Sequence, residues 1–182
     1  MGTPYIPQST TYTPGGIATI ASATMKRPAN TTTYADGDLV ANSTTAGSVT
    51  GLVFSNAVRL NENYRIEGLR LRKSDPSLTN ASFRIYICRA LPTLSVGDNG
   101  VFNSSGVLAI DSIQHVIEWV DVTMTRSATS GAFGRGTPSN SGVVSLSPVD
   151  PSTTLIGLIE ATAAYTPASG ETFNCILEGQ WS

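Results

Sequence analysis

The chain has 182 residues, of which 13% are charged and 40% are hydrophobic, and its formal net charge is -2. Lysine occurs only at Lys26 and Lys73, and the arginines are scattered, so the clustered basic face that nucleic-acid binding needs is not expected. No apolar run approaches the roughly 18 residues that span a bilayer, and the N-terminus lacks the pattern of a secretory signal. The length suits one domain with a sizeable core.

Residues 1–16 are predicted to form an extended arm in front of that domain. Three prolines interrupt any regular hydrogen-bonded ladder in this segment. Tyr5, Ile6 and Tyr12 make the arm more apolar than a simple spacer needs to be. We therefore expect the arm to lie along a neighbouring protein surface, with disorder as the alternative.

The first part of the domain is predicted to contain two strands and a tight turn. The run from Ile17 to Met25 is interpreted as a strand, with a short helix as the alternative because alanine is frequent in it. Asp36 and Gly37 predict a tight turn, because glycine tolerates the positive φ that such turns require. The small polar residues 44–51 indicate a loop, and residues 53–60 are predicted to begin the next strand.

The clearest strand signal lies in the run from Ala81 to Pro92. Its residues alternate in a period of two, which marks a half-buried strand. The apolar set is Phe83, Ile85 and Ile87, and the opposite set is Arg84, Tyr86 and Cys88.

A second alternating run precedes it, from Tyr64 to Lys73. Its leucines at 69 and 71 alternate with Arg70 and Arg72, and Gly68 is the expected site of a bulge that brings Ile66 into phase. Turn-forming residues separate the two runs. We therefore predict one long β-hairpin between residues 64 and 92, with arginines on its outer face.

The middle of the chain is predicted to be rich in loops. Asp98 and Asn99 are interpreted as turn residues, because two oxygen ligands fall well short of the ~6–8 that calcium takes. Residues 107–110 and 113–126 are predicted as the next pair of strands, with a bulge near Glu118. Residues 127–142 are predicted as a long flexible loop that carries Phe133 and Arg135.

Three further strands are predicted towards the end of the chain. Residues 143–146 form a short one, and residues 154–163 are apolar on both faces, as is typical of a central strand. The last run alternates, with Phe173, Cys175, Leu177 and Trp181 on one face. Eight or nine strands without long helices predict an all-β domain over residues 17–182, an antiparallel β-sandwich with jelly-roll connectivity.

No catalytic, metal or cofactor site is predicted. Asp111 and Asp121 share the strand parity of His115, the only histidine, but lie ~13 Å and ~20 Å away along an extended strand. Cys88 and Cys175 lack charged neighbours that would lower a thiol pKa, and they are predicted to be free and buried. No known catalytic motif is present. We expect a non-enzymatic protein, with a glycosidase acid pair that comes together only in the folded chain as the alternative.

The composition instead favours contacts with other proteins. Few charges and many hydroxyl groups suit wide, mostly neutral interfaces, in which arginines and aromatic residues carry much of the binding energy. The candidate partner-binding residues are Tyr5, Ile6, Tyr12, Arg70, Arg72, Arg84, Phe133 and Arg135.

Two segments resemble parts of tailed-bacteriophage virion proteins. The first is R-P-A-N-T-T-T-Y-A-D-G-D-L-V-A-N, from Arg27 to Asn42. The second lies between Phe83 and Phe102 and reads F-R-I-Y-I-C-R-A-L-P-T, followed by G-D-N-G-V-F. The resemblance covers about residues 17 to 125. It implies a non-enzymatic structural protein of a phage particle, made in the host cytoplasm, with decoration (cement) of the head as the first choice of role.

A decoration protein would bind the major capsid protein on the capsid surface and stabilise the shell. A homotrimer is expected, because a symmetric cluster engages several shell subunits at once. The alternative is a carbohydrate- or receptor-binding β-sandwich of a phage tail, which an exposed Trp119 or Trp181 would favour. Neither a nucleic acid nor a membrane is expected as a partner.

Overall fold

The computed structural model describes residues 17–57, 63–139, 143–145 and 153–181. Within these ranges the chain forms thirteen β-strands and two short 3-10 turns, and no helix there is long and apolar enough to cross a membrane. The strands are β1 (Ile17–Lys26), β2 (Leu39–Val40), β3 (Leu52–Phe54), β4 (Asn63–Lys73), β5 (Ser82–Cys88), β6 (Asn103–Ser104), β7 (Val107–Leu108), β8 (Val116–Thr123), β9 (Arg126–Ala128), β10 (Gly131–Gly136), β11 (Val143–Ser145), β12 (Leu155–Ala161) and β13 (Thr172–Trp181). The 3-10 turns span Ala46–Ser48 and Ile113–His115.

The strands build two antiparallel sheets that pack face to face. The six-stranded sheet has the order β1-β13-β4-β10-β9, with β11 also paired to β4. The five-stranded sheet has the order β2-β12-β5-β8, with β3 also paired to β12, and β6 and β7 form a separate ribbon. The pairs are nested along the chain: β1 with β13, β3 with β12, β4 with β10, and β5 with β8. This nesting is jelly-roll connectivity, and the predicted all-β sandwich is confirmed.

The core lies between the two sheets and draws one face from each long strand. The six-stranded sheet contributes Ile66, Leu69, Leu71, Phe173, Cys175 and Leu177. The five-stranded sheet contributes Phe83, Ile85, Ile87, Val120, Val122, Leu155 and Ile159. The rings of Phe83 and Phe173 meet edge to face across this core, with 5.3 Å between their centroids. Aromatic pairs of this geometry add to the stability that burial provides.

The predicted hairpin between residues 64 and 92 is wrong. β4 pairs with β13 and β10 in the six-stranded sheet, whereas β5 pairs with β12 and β8 in the five-stranded sheet. Residues 74–81 connect the two sheets. Each run alternates because each strand lays one face on the shared core from its own side. Alternation shows which face of a strand is buried but does not name its partner.

The bulge predicted at Gly68 is confirmed. Glu178 of β13 pairs with Gly68, but the next residue, Gly179, pairs with Ile66, so Glu67 is the extra residue. The inserted residue lets the side chains on both sides of the bulge reach the same core.

The two strands predicted between residues 107 and 126 do not pair with each other. β7 pairs with β6, and β8 pairs with β5. A 3-10 turn replaces the beginning of the second predicted strand. The phase change predicted near Glu118 is confirmed, because Ile87 pairs with Glu118 while the adjacent Cys88 pairs with Val116.

Most of the predicted flexible loop at residues 127–142 is a β-hairpin formed by β9 and β10. The inward positions of β10 include Gly134 and Gly136, and a Cβ on either would lie 2.2 Å from a backbone oxygen of β8. Glycine is therefore needed for close packing of β10 across β8. This glycine-rich composition is typical of a flexible loop. Here it allows β10 to pack where larger side chains would not fit. Residues 140–142 lie outside the described residues.

The remaining strand predictions are mostly confirmed. β1 is a strand rather than a helix, Gly37 has a φ of 92° in its turn, and every residue of β12 is buried. In β13 the predicted apolar face is buried as far as Leu177, and the side chain of Trp181 lies outside the described part. The strand predicted to begin at residue 53 ends at Phe54, and residues 58–62 are not described.

Candidate functional site

The outer face of the six-stranded sheet brings together four of the predicted partner-binding residues. In the pairing of β4 with β10, Arg72 lies opposite Phe133 and Arg70 lies opposite Arg135. Phe133 is 48% exposed, and the side chains of Arg70 and Arg135 are 44% and 63% exposed. Two more exposed arginines belong to this face, Arg65 at the start of β4 and Arg126 on β9. We name the group the arginine face; it consists of Arg65, Arg70, Arg72, Arg126, Phe133 and Arg135.

One carboxylate of β13 organises the centre of the arginine face. Oε1 of Glu178 lies 2.7 Å from Nε of Arg70, and Oε2 lies 2.9 Å from Nη2 of Arg135. Among the described residues of this outer face, the acids are Glu178 and Glu67. The same face carries five arginines and Lys26. The surface is therefore positively charged, although the whole chain has a net charge of -2. Such a surface attracts an acidic partner.

The other predicted partner-binding residues do not join this face. Arg84 lies on β5, on the outer side of the five-stranded sheet, where it forms a two-point ion pair with Asp121. The distances are 2.7 Å from Nε to Oδ1 and 3.0 Å from Nη2 to Oδ2. Arg84 was predicted on the same hairpin face as Arg70, and that prediction fails because the two strands belong to different sheets. The arm residues Tyr5, Ile6 and Tyr12 lie outside the described residues.

An open groove crosses the outer face of the five-stranded sheet, beside the ribbon of β6 and β7. It consists of two adjoining cavities of about 470 and 300 Å³, which share Arg84, Asn103 and Gly106. The larger cavity is the polar half and is also lined by Asp36, Glu160 and Thr162. The smaller one is the apolar half and is also lined by Tyr86, Leu108, Ile113 and Trp119.

Glu160 is a buried carboxylate in the polar half of this groove. It is 3% exposed; the hydroxyl of Tyr86 donates to its Oε2 at 2.5 Å, and Nδ2 of Asn103 donates to its Oε1 at 3.1 Å. Burial and the bond to Glu160 raise the pKa of Tyr86, so its hydroxyl remains a neutral donor. In the described ranges no cationic side chain forms an ion pair with Glu160, since Arg84 pairs with Asp121.

A separate buried network, which the sequence analysis missed, connects Arg27, Tyr34 and Asp98. Nη2 of Arg27 lies 3.0 Å from Oδ2 of Asp98, and Nε of Arg27 donates to the hydroxyl of Tyr34. That hydroxyl donates to Oδ1 of Asp98 at 2.5 Å. All three residues occur in the two segments that resemble phage virion proteins. The sequence carried no signal that these three residues meet, because Asp98 is far from the other two along the chain.

A second buried network lies against the first one. Nζ of Lys73 is 3.3 Å from Oε1 of Glu171 and 3.0 Å from Oδ2 of Asp75, and the hydroxyl of Tyr165 donates to Glu171 at 2.6 Å. The ring of Tyr165 stacks on that of Tyr34. Burial raises the pKa of Glu171. These charged groups satisfy each other inside the fold, and none of them faces either surface described above.

The groups considered for chemistry do not assemble into a reactive site within the described residues. His115 ends a 3-10 turn and forms no ion pair there with Asp111 or Asp121. A hydrogen bond from Thr93 is the main cause of the lowered pKa of Asp111. Cys88 and Cys175 are free and buried, and burial raises the pKa of Cys88 to about 12. No group of three metal-ligating side chains occurs in the described part of the chain.

The chain matches no known protein-family model, and no curated protein sequence is significantly similar to it. The arginine face and the groove are therefore the two candidate surfaces for function. These surfaces lie on opposite sides of the sandwich, because each is the outer face of a different sheet.

Proposed function

We propose that this protein is a non-enzymatic decoration (cement) protein of a bacteriophage head, which attaches to the major capsid protein through the arginine face. One observation supports this most directly: the register of β4 with β10 brings Arg70 and Arg72 beside Arg135 and Phe133. Arginine and large aromatic residues are the types that dominate protein interfaces energetically. A sheet face with such residues at its centre suits attachment to the surface of a shell.

The chemistry of the face specifies the partner surface. Glu178 satisfies part of the guanidinium charge of Arg70 and Arg135, and Arg72 and Arg126 form no ion pair within the described residues. The matching capsid surface carries carboxylates around an apolar depression that accepts Phe133. Attachment through exposed charges weakens as salt rises, because screening acts strongly on them.

The expected trimer and arm extend this contact. A homotrimer presents three arginine faces, and several weak contacts made together give strong attachment. The arm joins the sandwich at Ile17, where β1 begins at the edge of the six-stranded sheet. The native mass measured by light scattering tests this part, and a trimer has three times the chain mass of 19.0 kDa.

Attachment is tested by co-sedimentation with capsids of the encoding phage that lack this protein. We expect saturable binding of the native chain and a loss of more than about tenfold in affinity for the double variant Arg70→Gln/Arg72→Gln. Arg84→Gln is the control, because it removes an arginine of the opposite sheet, whose side chain is 33% exposed. The proposal is wrong if the native chain does not saturate the capsids, or if Arg84→Gln weakens binding as much as the double variant.

A further inference from the structure

The apolar half of the groove offers a platform for one face of a ring. Trp119 on β8 is half-buried and lies opposite Tyr86 of β5 in the sheet register. Leu108 of the ribbon and Ile113 of the 3-10 turn border it, and Ile113 is 65% exposed. An indole beside short aliphatic walls is suited to a flat ligand with an apolar face.

The polar half of the groove offers planar hydrogen-bonding groups immediately beside that platform. Across β12, β5 and β8 the register places Glu160, Arg84 and Asp121 in one row. Asn103 reaches Glu160 from the ribbon. An ionised carboxylate has about four acceptor positions. Tyr86 donates one bond to Glu160 and Nδ2 of Asn103 lies within bonding distance of both of its oxygens, which leaves about one acceptor position for a ligand.

We infer that this groove binds a carbohydrate, with the carbon–hydrogen face of a pyranose ring on Trp119 and its hydroxyl groups bonded to Glu160 and Arg84. A sugar is apolar on the faces of its ring and polar around its edge, which matches the two halves of the groove. Ligand sites of this kind combine an apolar lining with a few fixed polar groups. The site goes beyond capsid decoration and does not depend on it.

The charges in the groove select a neutral sugar over an acidic one. Asp121 neutralises Arg84 through two hydrogen bonds, whereas Glu160 has no cationic partner among the described residues. Asp36 lines the same half and is exposed. The groove therefore has an excess of negative charge. A sialylated sugar would place its own carboxylate beside these acids, and like charges repel.

The groove lies on the side of the molecule opposite the arginine face, where it could bind carbohydrate on a cell surface. A molecule attached through the arginine face turns its five-stranded sheet away from the surface it binds, because the two sheets face opposite ways. The groove would then be open outward on the particle. A decorated particle would gain weak, repeated contacts with carbohydrate on a cell surface, and repetition strengthens them.

The test is a titration of the purified full chain, followed by calorimetry and by tryptophan fluorescence. The probes are the neutral sugars N,N′-diacetylchitobiose, cellobiose and maltose, with 3′-sialyllactose as the acidic comparison. We expect saturable binding of at least one neutral probe and a change in the emission of Trp119. Trp119→Ala is expected to weaken that binding by about tenfold or more, because it removes the stacking surface.

Two further variants keep the test decisive. Arg84→Gln removes a half-buried groove residue whose surface ion pair contributes little to stability, so its fold is retained and its binding is reduced. Phe133→Ala removes an exposed aromatic residue from the opposite sheet and is expected to bind the sugar like the native chain. The inference is overturned if no neutral probe saturates, or if Trp119→Ala and Arg84→Gln both bind normally. It is also overturned if 3′-sialyllactose binds best. The free protein is used throughout, so this result and the capsid result can fail separately.

Discussion

Arg27 and Asp98 form an ion pair that is closed to solvent, with 3.0 Å between Nη2 and Oδ2 and no exposed surface on either side chain. The second oxygen of Asp98 accepts bonds from the hydroxyl of Tyr34 and from the backbone N–H of Ala41. Arg27 directly follows β1, whereas Asp98 lies in a turn that bonds to the backbone of Leu39 through Asn99. The pair therefore fastens the end of the first strand to the turn that precedes the ribbon.

Loss of one partner from this pair is expected to destabilise the fold strongly. Arg27→Gln leaves the carboxylate of Asp98 buried without a counter-charge, which costs about 3–5 kcal/mol in the free energy of unfolding. Urea denaturation followed by circular dichroism measures the loss. Arg70→Gln serves as the control, because its ion pair with Glu178 is partly exposed and contributes at most about 1 kcal/mol. Equal losses in the two variants would contradict the structural role of the buried pair.

Glu171 is expected to make stability depend on pH. Burial raises its pKa in the folded state, and the bonds from Tyr165 and Lys73 offset this only in part. The folded chain then holds the proton more tightly than the unfolded chain, whose Glu pKa is about 4.3. The stabilisation from this group is fully present below that value and is lost as pH rises through the folded pKa.

The test of this pH dependence compares the native chain with Glu171→Gln in urea at several pH values. The native chain is expected to lose stability relative to the variant as pH rises above the unfolded Glu pKa of about 4.3. Glu67→Gln, an exposed change, should follow the native profile. Parallel profiles for the native chain and Glu171→Gln, or a relative gain with rising pH, would show that the ion pair with Lys73 outweighs burial.

The glycines of β10 are expected to tolerate no side chain. In Gly134→Ala the new Cβ would lie 2.2 Å from the backbone oxygen of Thr123, so β10 or β8 must move. We expect a loss of about 1–3 kcal/mol, seen as a lower midpoint in urea. Gly47→Ala is the matched control, because no atom lies within 4 Å of the Cβ position there. A neutral Gly134→Ala would indicate that this segment is the flexible loop that its composition suggests.

Both thiols are expected to be unreactive in the folded protein. Cys88 and Cys175 are buried, and burial raises the pKa of each, so little thiolate is present at neutral pH. A disulfide reagent such as 5,5′-dithiobis(2-nitrobenzoate) should label neither thiol in buffer and both in urea. Rapid labelling of one thiol without unfolding would show that its surroundings open locally.

The arm is expected to contribute to attachment and not to folding. A chain lacking residues 1–16 keeps the whole of β1, which begins at Ile17 and pairs with β13 along its full length. We expect the native unfolding midpoint and weaker co-sedimentation with capsids, because the aromatic residues of the arm are lost. The expectation fails if the truncated chain is unfolded, or if it binds capsids as tightly as the full chain.

Local patterns in the sequence were sufficient for the inward faces of β4 and β5. The inward set that begins at Phe83 and the phase shift at Gly68 follow from the geometry of a single strand, and both were predicted correctly. The prediction of a half-buried strand was wrong for the second half of β5, where Tyr86 and Cys88 on the other face are buried as well. Composition was misleading at Gly134, because glycine there serves close packing against another strand, and that strand is not visible in the local sequence.

The two surfaces could be predicted only in pieces. The sequence by itself determined that Arg70 and Arg72 point outward from one strand and that Phe133 and Arg135 share a segment. Tertiary structure alone decided that these residues lie side by side and that Arg84 lies on the opposite sheet. Strand pairing depends on contacts between residues that are far apart in the sequence. The free energy of these contacts depends on the whole sandwich and cannot be read from one segment of the chain.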